Sequence, residues 1–366
     1  MMYQHGGDIY SYPDFIDFSA NINFLGAPSS VLEAARNAME RIGHYPQAGC
    51  GNLRQAISEL EQVEAEQIIC GNGAAELLFS LTLARKPKKA LIFAPTFQEY
   101  EQALRSVDCK IVYHFLCAAD KFQIQDIPAE LDHSIDMVFF CNPNNPTGVL
   151  TGRSILEKLL QRCDQAGAIL VVDECFLDFT GMAQRYTVKD FLPHSRNLFV
   201  VKAFTKTFAI PGLRLGYGIS GNSELLQRMR NVTQPWNVSV PAQAAGIAAA
   251  AEKEFLENIG QAVEQERKFL LEQLSKISAD EKKSFFIQIY GYAANFIFFR
   301  SIKGLEQKFI KYRILIRSCD NFQGLSEGWY RIAVRTRQEN ERFIQTLKLI
   351  KTEIENERID CDIQLF

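Results

Sequence analysis

Short apolar runs and amphipathic stretches alternate through the first two-thirds of the chain. The runs ALIFA (90–94), MVFFC (137–141), AILVVD (168–173) and NLFVVK (197–202) are rich in β-branched or aromatic residues and bounded by turn signals, which predicts buried strands. Between two of them, SILEKLLQRCDQAG (154–167) repeats apolar residues at three- and four-residue spacing and stops at a glycine, which predicts a helix. Strands and helices in alternation predict a mostly parallel sheet covered by helices on both faces. After about residue 240 the texture changes. One long or broken helix (241–274) leads to the strand-like runs NFIFFR (295–300), RILIRS (313–318) and WYRIAVRT (329–336), then to an amphipathic helix from Glu339. The expected organisation is an N-terminal segment (1–30), a large α/β domain (31–240), a linking helix (241–270) and a smaller α+β C-terminal domain (271–366).

Composition narrows the function classes. Close to half of the 366 residues are apolar (47%) and 23% are charged, the balance of a globular enzyme. A net charge of −3 gives no electrostatic footprint for nucleic acid, so any anion must be gripped by a local cluster. The nine cysteines show no C-x-x-C pair and no matched histidine spacing; an odd, scattered set predicts a reducing, cytoplasmic setting and no metal site. The opening MMYQHGGDIY lacks a basic-then-apolar design, and no apolar run reaches membrane-spanning length.

Ligands collect at the carboxyl ends of strands in open parallel sheets, which directs attention to the residues that follow each apolar run. After MVFFC comes NPNNPTG (142–148), turn chemistry that also leaves the Asn145 amide free to donate. AILVVD ends in Asp173, a carboxylate that is costly on an apolar strand unless it meets a cation or a donor. NLFVVK leads to Thr205 and Lys206, then to Arg214; Lys202 itself reads as a strand-end cation without catalytic duty. Upstream, GNGAAEL (71–77) is a glycine turn entering a helix, where the amides of Ala74 and Ala75 can hold a phosphate. Each feature alone is commonplace. In this order they match the needs of pyridoxal 5′-phosphate: a donor to the ring oxygen, a partner for the ring nitrogen, an amine for the aldehyde and ligands for the phosphate.

NPNNPTG, VVDECF, FTKTFAIPGLRLGYG and WYRIAVRT together resemble the class I/II aminotransferases of fold type I, over nearly the whole chain. The resemblance implies that Lys206 bonds to the cofactor aldehyde, Asp173 pairs with the pyridine nitrogen and Asn145 contacts the phenolic oxygen. It implies that Thr205, Arg214, Ala74 and Ala75 hold the phosphate and that Phe97 stacks on the ring. Tyr45, in the HYP segment, would reach the cofactor phosphate of a partner subunit, which implies a homodimer. Where the family usually has D-E-A-Y, this chain has Asp173-Glu174-Cys175-Phe176, without the tyrosine hydroxyl.

Arg317 and Arg331 are candidates for anionic substrate groups, since a guanidinium matches carboxylate and phosphate bidentately; Arg335 reads as a solvated charge. HGGDIY (5–10), DFSANINFLG (17–26) and IRSCDNFQGL (316–325) resemble the threonine-phosphate decarboxylase branch of the family. That resemblance implies a phosphate-site role for His5 and a substrate contact at Asn21. The implied reaction is decarboxylation of O-phospho-L-threonine to 1-amino-2-propanol phosphate in cobalamin synthesis. Transamination, as in histidinol-phosphate aminotransferases, is the alternative.

Overall fold

The computed structural model describes residues 5–278 and 285–363. Among the described residues, thirteen strands form three sheets. β1 (Ile16–Asp17) lies near the N-terminus, followed by β2 (Ile68–Asn72), β3 (Lys89–Ala94), β4 (Lys110–Phe115), β5 (Met137–Cys141), β6 (Ile169–Asp173), β7 (Leu198–Ala203) and β8 (Leu215–Ile219). The C-terminal strands are β9 (Gln288–Gly291), β10 (Phe296–Arg300), β11 (Ile314–Leu315), β12 (Arg317–Ser318) and β13 (Trp329–Ala333).

The seven-stranded sheet runs β2-β8-β7-β6-β5-β3-β4. β4, β3, β5, β6 and β7 are mutually parallel, and β8 is antiparallel to both neighbours. The reversal has a local cause. A parallel crossover takes a dozen or more residues, and the link from β7 to β8 spans only 204–214. Neighbouring side chains on one strand point to opposite faces, and the core divides accordingly. Val138, Phe140, Leu170, Val172, Leu198 and Val200 enter one apolar layer, while Phe139, Val171, Phe199 and Val201 enter the other.

Helices cover both layers. Val240–Ala251 is followed by Lys253–Ser278, so the long helical pattern is interrupted at Glu252. A four-stranded antiparallel sheet, ordered β12-β13-β10-β9, packs with the helix Arg337–Ile363 around a third apolar cluster containing Phe299, Ile332, Phe343 and Leu347. The N-terminal segment ties the two parts together. β1 pairs in parallel with β11, and the Phe18 carbonyl accepts from Ala333 N at 2.8 Å. A few residues on, Asn23 N donates to the Lys206 carbonyl (3.2 Å) and Asn23 Nδ2 to that of Thr207 (2.8 Å). No helix among the described residues is long and apolar enough to cross a membrane.

Candidate active site

The carboxyl ends of β5, β6 and β7 lie side by side, with Cys141 opposite Asp173 and Asp173 opposite Val201. Above them is a cavity of about 430 Å³. Its wall contains His5, Asn21, Ala74, Ala75, Phe97, Asn145, Asp173, Thr205, Lys206, Arg214, Arg317 and Arg331. Tyr45 is the one expected site residue outside it. Its ring is exposed in a separate surface groove, stacked on Trp236 at 4.3 Å, and Arg214 borders both spaces.

Lys206 sits in a single helical turn (Phe204–Thr207) that begins directly where β7 ends. Burial lowers its amine pKa, and Arg331 and Arg214 reinforce the shift against the opposing influence of Cys175 and Glu99. Asp173 is buried at the tip of β6, where Tyr100 Oη donates to it at 2.6 Å and Cys175 N at 2.9 Å. These two donors satisfy both oxygens of the buried carboxyl group. The Asn145 side-chain oxygen accepts from Arg331 Nη1, which leaves its Nδ2 free to donate toward the cavity.

Phosphate-sized space at the start of the helix Gly73–Arg85 depends on two glycines. Gly73 has φ +80°, and a Cβ there would lie 2.5 Å from Arg214 Nη2. At Gly216 a Cβ would lie 2.5 Å from Ala74 N. Arg214, itself left-handed at φ 55°, is brought to this corner by the short return into β8. Backbone amides and a guanidinium thus meet where no side chain fills the space, which fits an anionic phosphate.

Arg317 and Arg331 are register partners on β12 and β13. Burial brings the Arg331 pKa down to about 10 and also lowers that of Arg317. Arg331 Nη2 donates to the Ser19 carbonyl at 2.9 Å, and Arg317 Nη2 to Asn321 Oδ1 at 2.8 Å. The side-chain oxygen and nitrogen of Asn21 are both buried and without a partner. Such a group is costly unless a ligand completes it. His5 is held over the cavity because Gly6 lies against Ser19; a Cβ at Gly6 would lie 2.3 Å from the Ser19 carbonyl oxygen. Phe176 lies in the wall, edge-on to Phe296 at 5.2 Å.

Sequence reasoning passed over Glu99 and Tyr100, which follow β3 as members of PTFQEY. Attention to the residues that follow β3, the stretch that also contains Phe97, would have reached both. Arg335, read as solvated, is ion-paired to Glu339 at 2.7 Å.

The family model "Aminotransferase class I and II" matches residues 13–347. The chain belongs to the class I and II aminotransferase family. It is an enzyme of that family's pyridoxal 5′-phosphate-dependent chemistry, and the cavity's amine, carboxylate and phosphate corner fit the cofactor. Threonine-phosphate decarboxylase of Salmonella typhimurium is 35% identical, over 96% of this chain and 97% of the relative. Histidinol-phosphate aminotransferase of Methanothermobacter thermautotrophicus is 27% identical, over 91% and 88%. Among solved structures, the histidinol-phosphate aminotransferase of Clostridium acetobutylicum has a TM-score of 0.84 at 30% identity, covering 92% of this chain and 99% of that one.

Proposed function

We propose that this enzyme decarboxylates O-phospho-L-threonine, releasing CO₂ and 1-amino-2-propanol phosphate. The observation that carries the reading is the pairing of Arg317 with Arg331 on adjacent strands, both facing the cavity that contains Lys206. The substrate has two anionic groups, a carboxylate and a phosphate, and the cavity offers a guanidinium for each. The identity to the Salmonella decarboxylase over nearly full length supports the same assignment.

In this reading Asp173 pairs with the pyridine nitrogen, Asn145 donates to the phenolic oxygen and Phe97 stacks on the ring. Thr205, Arg214 and the amides of Ala74 and Ala75 hold the cofactor phosphate. When bound, pyridoxal phosphate supplies the electron sink for the bond that breaks at Cα. Arg331 binds the substrate carboxylate, Arg317 and His5 its phosphate, and Asn21 completes its amide hydrogen bonds on the substrate. Lys206 Nζ takes up the proton that the substrate's ammonium gives up on binding and returns it to Cα as CO₂ departs. Its burial favours the neutral amine before substrate arrives, as bond formation to an aldehyde requires. A second copy of the chain covers Tyr45 and Trp236 and receives Tyr45 at its own cofactor phosphate.

Transamination is the second reading, favoured by the likeness to the Clostridium structure. One assay separates the two. Holoenzyme incubated with O-phospho-L-threonine should release CO₂ with no keto acid present. If turnover instead requires 2-oxoglutarate and forms glutamate, transamination replaces decarboxylation.

A further inference from the structure

A carboxyl group stands where the proposed substrate phosphate would sit. Glu99 opens the helix Glu99–Arg105 and borders the same cavity as His5, Lys206 and Arg317. Its Oε1 is 3.5 Å from His5 Nδ1, while its Oε2 is buried and makes no hydrogen bond. An ionised carboxylate there would repel an incoming phosphate, and one of its oxygens would remain desolvated without a donor. Protonation removes both penalties and turns the repelling group into a donor.

We propose that Glu99 carries a proton in the substrate complex and donates a hydrogen bond to the substrate's phosphate, opposite Arg317 and beside His5. The inference rests on the reading that the substrate is a phosphomonoester, and not on which bond at Cα breaks. The charged groups around Glu99 are consistent with it. Burial is the largest influence and raises the Glu99 pKa to about 7; its own backbone amide, Lys206 and Arg317 pull it down, and Asp173 pushes it up. A bound phosphate adds negative charge and drives the carboxyl further toward its protonated form. His5 does not reverse this, because burial, Arg317 and Lys206 all disfavour its charged form.

The consequence is a proton taken up on binding. Inorganic phosphate is the probe, titrated calorimetrically into holoenzyme at pH 8 in buffers of differing ionisation enthalpy. Wild-type enzyme should take up about one proton more per site than Glu99→Gln, whose amide still donates but cannot titrate. Between pH 7 and 9, wild-type affinity should fall roughly tenfold more per pH unit than that of Glu99→Gln. Glu99→Leu, which has no donor, should bind phosphate roughly tenfold more weakly at pH 7. Equal proton uptake in wild type and Glu99→Gln would overturn the role of Glu99. Failure of phosphate to bind either protein would overturn the phosphomonoester premise and this inference together. The CO₂ assay reports separately on the reaction.

Discussion

Lys202 and Lys206 lie one helical turn apart in sequence and are both half-buried, yet their environments drive them in opposite directions. Burial lowers the pKa of each. At Lys202 it is outweighed by Asp178 (3.7 Å) and Glu61 (2.6 Å), so the ammonium is held well above the usual lysine range. Lys206 has arginines among its neighbours, and its amine stays low. The contrast shows that desolvation alone does not make a reactive lysine; the charges placed around it do.

The cluster behind Lys202 is extensive. Glu61 also accepts from Lys189 Nζ at 3.0 Å and from Tyr217 Oη at 2.5 Å. It lies beside a second cavity, of about 390 Å³, that shares Ala203 with the first. The stiffly paired lysine therefore anchors the strand end from which the reactive one projects.

The comparison breaks most visibly at Lys206. Lys206→Ala should lower turnover by at least roughly a thousandfold and abolish borohydride labelling of the cofactor-loaded protein, read by peptide mass mapping. Lys202→Met should leave the label in place.

At Glu61 the expected effect is on stability. Glu61→Met leaves Lys189 without its carboxylate and Lys202 with Asp178 alone, and should cost about 3–5 kcal/mol in urea unfolding. The Glu61→Met/Lys202→Met double variant should be less destabilised than Glu61→Met alone, since a charge that has lost its nearer partner has gone. A double variant at least as unstable as the single would show that the pairing energy of Lys202 is negligible.

The smallest effect is in pH dependence. Burial pushes the Glu61 carboxyl up, but Lys202 and Lys189 outweigh it and hold the pKa at about 2. A carboxylate depressed in the folded state contributes stability above its unfolded value of about 4.3, and loses it as pH falls toward the folded value. The stability gap between wild type and Glu61→Met should therefore be full at pH 6 and narrow progressively between pH 4 and 2. A gap constant over that range would show that the carboxylate's charge contributes nothing.

The strand ends were legible because their signal is local. Asn145, Asp173 and Lys206 each follow an apolar run whose composition predicts a strand, and β5, β6 and β7 lie within a residue of those runs. The antiparallel return of β8 was not anticipated, although the short link 204–214 contains the reason. Partners distant in sequence were invisible. Lys202 read as an idle strand-end cation because nothing near it indicates Glu61, 141 residues away. Tyr100 and Asp173, 73 residues apart, are another such pair. Glu99 escaped for a different reason. A glutamate at a helix start is ordinarily a solvated charge favoured by the helix dipole, and only the cavity it borders distinguishes this one.

The segment from β1 to Asn23 is stitched at one end to β11 and β13 and at the other to the carbonyls of Lys206 and Thr207. Between these anchor points hang the Ser19 carbonyl that receives Arg331 and the unpartnered amide of Asn21. Its length is thereby more constrained than its composition. Side chains along it can be exchanged one by one to retune selectivity, whereas removing a single residue would pull substrate contacts and reactive lysine out of alignment at once.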